Sequence, residues 1–190
     1  MLNKKGFTLI VLICCSLSVW AQKIGVKNNL LYDATLTPNL GVEMSVGKKS
    51  TLDLSAGLNP FTFNDGKKFK HWLVQPEYRR WFCEKFNGTF WGVHLHGGEF
   101  SVANLKLPFG MFPSLKDHRY EGYFVGGGLS IGHQWVLSKR WNLEASIGAG
   151  YAFIDYEKYD CPKCGPKVKD GTYNYFGVTK AAVSLIYVIK

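Results

Sequence analysis

"WNLEASIGAGYAF", residues 141–153, changes polarity at almost every step. Trp141, Leu143, Ala145, Ile147, Ala149, Tyr151 and Phe153 fall on one side, and Asn142, Glu144, Ser146, Gly148, Gly150 and Ala152 on the other. Successive side chains of a β-strand point to opposite faces, whereas a helical period of 3.6 would scatter these apolar residues around the axis. The stretch predicts a half-apolar strand.

The same alternation recurs on either side. "YFVGGGLSIGHQWVL" groups Tyr123, Val125, Leu129, Ile131, Trp135 and Leu137; "LDLSAGL" groups Leu52, Leu54, Ala56 and Leu58; "VSLIYVI" groups Val183, Leu185, Tyr187 and Ile189. Strands are expected near 23–32, 39–47, 50–59, 71–83, 88–98, 121–137, 141–155 and 176–189, eight in all. Their connections alternate in length. "GKKS", "EKFNG" and "SKR" are short, while "DATLTP", 60–70, about 99–120 and about 156–175 are longer. Short turns at one end and long loops at the other predict an all-β fold: an eight-stranded antiparallel up-and-down transmembrane β-barrel over residues 22–190. Closure removes the unpaired strand edges that lipid would not tolerate.

The face opposite the apolar one carries Lys27, Glu43, Asp53, Gln75, Glu77, Arg79, His94, His96, Gln134, Glu144 and Lys180. In a soluble sandwich or lipocalin-like barrel this face would meet water. In a small membrane barrel it is the packed, charge-paired interior, too narrow for an open pore. Aromatic residues near strand ends (Tyr32, Trp72, Phe82, Trp91, Trp135, Trp141 and Tyr187) suit two interfacial girdles. The three glycines 126–128 lie within a strand and lack the helix and lysine of a phosphate loop, so they read as relief of crowding in the lumen.

Composition agrees with export. The chain has 190 residues, 21 glycines, 15% aromatic residues and a formal charge of +9. It begins with Lys4 and Lys5, an apolar run from Phe7 to Val19, and small-residue cleavage chemistry at Val19 and Ala21, so residues 1–21 read as a signal peptide cut after Ala21. A lipoprotein cut at Cys14 or Cys15 competes, but neither Ile13 nor Cys14 is the small residue such a site needs before its cysteine. Losing the leader reduces the basic excess from nine to seven and leaves Cys83, Cys161 and Cys164 in an oxidising compartment. A basic, aromatic, glycine-rich exported chain points to the cell outer membrane and not to nucleic acid.

"NNLLYDATLTPNLGVE", "DLSAGLNPFTF", "KHWLVQPEYRRWFCEKFNG", "LPFGMFPSLKDHRYEGYF" and "NYFGVTKAAVSLIYVIK" together resemble a family of exported Bacteroidota proteins known as domain of unknown function 3575. The resemblance covers essentially the whole mature chain. It implies an outer-membrane-type barrel and no particular activity. Such barrels often end on an aromatic residue, and this chain ends "YVIK".

Candidate chemistry is sparse. His94 and His96, two apart on a strand, share the interior face. Some small outer-membrane barrels are lipid A-modifying enzymes, acyl hydrolases or transferases, in which a histidine activates a serine or water. Ser101, Glu99, Asp117 and His118, expected in or near the third long loop, offer the remaining parts of such a triad. Hydrogen bonds from the two histidines to Glu77 or Glu144 account for the same residues without catalysis. The loop "LPFGMFPSLKDHRYEGYF" reads either as a partner-binding cap or as packing over the mouth. Lys67, Lys68, Lys70, Lys163, Lys167 and Lys169 form a basic rim, solvated or set against phosphates of lipopolysaccharide.

"YDCPKCGPK", 159–167, finds only Cys83 as a further cysteine for a zinc site and no helix for a redox motif, so Cys161 and Cys164 read as a local disulfide, with two free thiols or a shared metal as the alternatives. No cofactor or metal is expected. The expected role is structural or surface-interacting, through contacts with outer-membrane lipid, lipopolysaccharide, surface polymer or a surface protein such as a fimbrial partner. The enzyme is the alternative.

Overall fold

In a computed structural model, which describes residues 23–61, 68–103, 118–160 and 166–189, eight antiparallel strands form one sheet that closes into a barrel. They are β1 (Ile24–Asn29), β2 (Asn39–Ser45), β3 (Ser50–Asn59), β4 (Lys68–Trp81), β5 (Gly88–Ala103), β6 (Arg119–Val136), β7 (Trp141–Tyr159) and β8 (Lys167–Val188). Each strand pairs with its chain neighbours, and β8 returns to β1 through Gly25↔Val188 to Asn29↔Ser184. One short helix, α1 (Leu30–Ala34), follows β1.

Two expectations are corrected at the long-loop end. The first strand stops at Asn29, where the Asn29 side chain accepts from Leu31 N at 3.1 Å and caps α1. The same side chain donates to Ala181 O and accepts from Val183 N, so it continues the β1–β8 seam by one step after the backbone has left it. The later strands also run further than the apolar alternation does, reaching Ala103, Arg119, Tyr159 and Lys167. Beyond the apolar belt the outer face turns polar at Lys70, Ser101 and Glu121, while Phe100 and Phe124 pack inward beside His96. The apolar-out, polar-in alternation therefore fades while the backbone ladder continues.

The barrel is inverted relative to a soluble one. All eleven polar residues expected on the inner face are buried, with Glu43, Asp53 and Gln134 at 0% exposure. Leu54, Val93, Leu129, Ile131 and Ile147 lie outside, and Leu129 is 65% exposed. Trp91, Trp135, Trp141 and Tyr187 ring the belt toward the short turns, and Trp72, Tyr123, Tyr151 and Phe176 ring it toward the long loops. Trp141 packs on Tyr187 at 5.1 Å, and Tyr151 on Phe176 at 4.9 Å. Tyr32 departs from its expected girdle place: it folds over the lumen, where its ring fills the space left by Gly57.

Of glycines 126–128, Gly126 relieves crowding in the lumen, where a Cβ would lie 2.7 Å from His96 Nε2, whereas Gly128 relieves crowding between strands, 2.4 Å from Ala149 O; other glycines of β6 and β7 act alike. A Cβ on Gly132 would lie 2.5 Å from the Phe90 ring, and one on Gly150 would lie 2.1 Å from Gly127 O. Only glycine lets neighbouring strands and lumen rings come this close.

Candidate functional site

The lumen contains one continuous ion network. Arg79 stands at its centre. Its Nη1 and Nη2 grip both oxygens of Glu144 at 2.8 and 3.0 Å, in a two-pronged fork. Nη1 also donates to Glu43 Oε2 at 2.8 Å, Nη2 to Asp53 Oδ2 at 3.1 Å, and Nε to Glu77 Oε2 at 2.7 Å. Lys27 Nζ lies 2.8 Å from Glu43, 3.1 Å from Asp53 and 3.4 Å from Glu144. Lys180 pairs with Glu77, whose other oxygen accepts from Ser130. Thr51 donates to Glu43 at 2.6 Å and Ser55 to Asp53 at 3.1 Å.

These residues come from seven strands, all but β5. Three cations face four carboxylates, and each carboxylate meets at least one cation. Pairing and hydrogen bonding offset the large desolvation cost that isolated charges would carry here. Beside the network a cavity of about 30 Å³ remains, lined in part by Lys27, Tyr32, Gln75, Arg79 and Ser184. That is room for about one or two waters.

Below the network the lumen becomes aromatic. Arg79 lies 4.4 Å over the Phe90 ring, Phe90 packs on Trp81 at 4.8 Å, and Trp81 stacks on Phe86 at 6.2 Å. Phe86 belongs to the short turn between β4 and β5, where its φ of 62° turns the ring inward. Asn142 Nδ2 holds the Phe86 carbonyl at 3.0 Å, while Trp81 Nε1 donates to Thr51. The short-turn end is therefore plugged.

His94 and His96 face the lumen, as their spacing predicts, with ring centroids 5.7 Å apart. Their expected partners are corrected: Glu77 and Glu144 are taken by Arg79, Lys180 and Ser130, and His94 Nε2 instead meets Thr179 Oγ1 at 2.9 Å. His96 leans on Phe124 at 6.1 Å. The Nδ1 atoms of both histidines have no hydrogen-bond partner among the described residues.

Thr179 reaches His94 because β8 carries a bulge. Gly148 pairs with Lys180 but Ala149 pairs with Val178, so Thr179 is an extra residue. Thr179 and Lys180 then both face inward and Val178 turns out, 56% exposed. Strict alternation would have put Val178 inside with Lys180; Gly177 in "FGVTK" is the one local hint of an irregularity and does not place the shift at Thr179. Thr179→Val should lower unfolding stability by about 1–3 kcal/mol, since it strips buried His94 of its one hydrogen-bond partner among the described residues. An unchanged urea midpoint would mean that water already supplies that bond.

The other parts of a triad are not brought together. Ser101 lies within β5, not in a loop, and donates to Glu121 Oε1 at 2.9 Å on the outer face. Seven residues separate it from inward-facing His94, roughly 23 Å along the strand. Glu99 also faces out and accepts from Trp72 Nε1 at 3.0 Å. His118 Nε2 lies 3.8 Å from Asp160 Oδ1 at the rim. Asp117, Cys161, Cys164, Lys67, Lys163 and most of the third long loop lie outside the described residues. Among the described residues no three His, Cys, Asp or Glu side chains converge as a metal site, and Cys83 is an exposed free thiol.

A family model described as a protein of unknown function, DUF3575, matches residues 7–189. The chain belongs to this family. No curated protein and no solved structure matches it. Family membership agrees with the resemblance carried by the sequence segments, and it assigns no reaction to the lumen or the rim.

Proposed function

We propose that this is an exported outer-membrane β-barrel, processed after Ala21, with a structural or surface-interaction role. It presents its long-loop end to lipid, lipopolysaccharide, surface polymer or a protein partner. The observation that carries this reading is the inversion of the barrel, with charges paired inside and an apolar belt outside between two aromatic rings. On β7 the belt runs from Trp141 to Tyr151, which matches the 9–11 residues a tilted strand needs to cross a bilayer. A soluble protein rarely exposes a contiguous apolar patch of more than a few hundred Å².

The occupied lumen supports an anchor over a solute pore. Ser101 on the outer face and His94 in the interior give the lipid A-modifying alternative no shared centre.

The chain should fractionate with outer membrane and migrate differently on a gel before and after boiling. Recovery wholly in the soluble fraction, with one mobility, would overturn the proposal. Surface cross-linking followed by capture would identify the partner.

A further inference from the structure

Charge is shared unevenly between the two ends of the barrel. The long-loop end mixes signs and pairs them, Arg119 with Glu121 at 3.2 Å and Lys167 with Glu157 at 2.6 Å. The short-turn end is almost purely basic. The turns after β2, β4 and β6 bring Lys48, Lys49, Lys85, Lys139 and Arg140; Lys23 precedes β1, and Arg80 lies near the end of β4 on its outer face. Against these seven cations the described residues of that end set one carboxylate, Glu84.

No ion pair among the described residues involves any of the seven. Their hydrogen bonds end on neutral oxygens instead. Lys49 Nζ donates to Phe82 O at 3.0 Å, Arg140 Nη1 to Tyr187 Oη at 2.8 Å, Lys85 Nζ to Ser45 Oγ at 2.6 Å and Arg80 Nη1 to Ser50 Oγ at 3.5 Å. These bonds hold the cations in place and leave their charge standing. Like charges gathered on one rim repel one another, so counter-charge from outside the chain stabilises this arrangement.

The same contacts fix the depth of the rim. Tyr187 belongs to the girdle and packs on Trp141, Phe82 is 59% exposed, and Arg80 pairs directly across from Trp91. Aromatic girdles lie at the level of the lipid headgroups. Lys49, Arg80 and Arg140 are tied to that level, where the available anions are lipid phosphates. An anionic wall polymer beneath the membrane would reach Lys48 and Lys139 at the tips of the turns, but not Arg80 on the outer wall.

The headgroup follows from the scarcity of acids. A zwitterionic lipid carries its own ammonium to this rim, where only Glu84 could receive it. Phosphatidylglycerol brings a phosphodiester and no cation. We infer that the short-turn rim binds anionic phospholipid of the phosphatidylglycerol class, with Lys49 and Arg80 as its principal contacts. This inference rests on the outer-membrane reading, in which the short turns face the periplasm.

The protein would be refolded into vesicles of equal parts phosphatidylethanolamine and phosphatidylglycerol, extracted in mild detergent, and weighed intact with its retained lipid. Phosphatidylglycerol should dominate. Lys49→Gln combined with Arg80→Gln should lower that preference about twentyfold, at roughly fivefold for each cation near an anionic surface. Lys68→Gln combined with Lys70→Gln, at the opposite end, should leave it unchanged. Independently of any variant, the wild-type preference should vanish when salt rises from about 0.1 M to about 1 M, because the screening length falls from about 10 Å to about 3 Å. Equal retention of the two lipids, a preference that survives high salt, or one that the two paired variants alter alike would overturn the inference and leave the membrane reading standing. Pelleting of the barrel with isolated cell-wall polymer, without any lipid preference, would overturn it in favour of the polymer. A chain that enters no vesicle would overturn both the inference and the membrane reading.

Discussion

Arg79→Ala should lower the unfolding free energy by about 3–5 kcal/mol, the range seen when one partner of a buried ion pair is removed. The substitution takes away five hydrogen bonds at once and leaves Glu43, Asp53, Glu77 and Glu144 facing only Lys27 and Lys180. Neither lysine can take over: Lys27 already serves the Glu43 side and Lys180 the Glu77 side. The Phe90 ring beneath loses its cation as well. Urea unfolding of the vesicle-refolded protein, followed by the mobility of unboiled samples, would measure the change. Arg79→Lys should be intermediate, because it keeps the charge but not the fork that holds both Glu144 oxygens. Combining Arg79→Ala with Glu144→Gln should cost less than the two changes added together, by roughly 1–3 kcal/mol, since one orphaned carboxylate disappears with its partner. A loss below about 1 kcal/mol for Arg79→Ala would mean that water screens the lumen, and the network could not then be what ties the strands together.

The network also shows which parts of the fold are legible in the sequence. Where one face is apolar and the other polar, as in 141–153, alternation alone assigns every residue to its side, and the eleven inward residues follow from it. Three features escape that rule. Phe86 sits in a turn and looks like a surface aromatic until its positive φ turns it into the lumen. Thr179 lies at a bulge, a local backbone event that shifts the period by one, and the nearby Gly177 and Gly148 do not say at which residue the shift falls. Tyr32 is carried over the mouth by α1, whose onset depends on the Asn29 cap rather than on any helical period. The candidate site fared differently. Facing could be read for His94 and His96, but partners could not, because Glu77 and Glu144 are chosen by groups on distant strands.

Ile147→Arg should destabilise the barrel by about 2–4 kcal/mol, and the sign of this result separates the two ways of reading an apolar exterior. Ile147 lies between Trp141 and Tyr151 on β7, is 55% exposed, and faces Ile131 and Ala181 on the adjoining strands. In water, replacing an exposed isoleucine by arginine is worth no more than about half a kcal/mol in either direction, and it adds solubility. At the centre of a bilayer the guanidinium must lose hydration or draw water down to itself, and either event opposes insertion. The cost should fall to about 0–1 kcal/mol for arginine at Phe82, at the short-turn interface, because the side chain there reaches water directly. Measured in the same vesicles, that depth profile is the expected outcome. A flat profile, with Ile147→Arg as mild as Phe82→Arg, would place the apolar belt in water or against another protein.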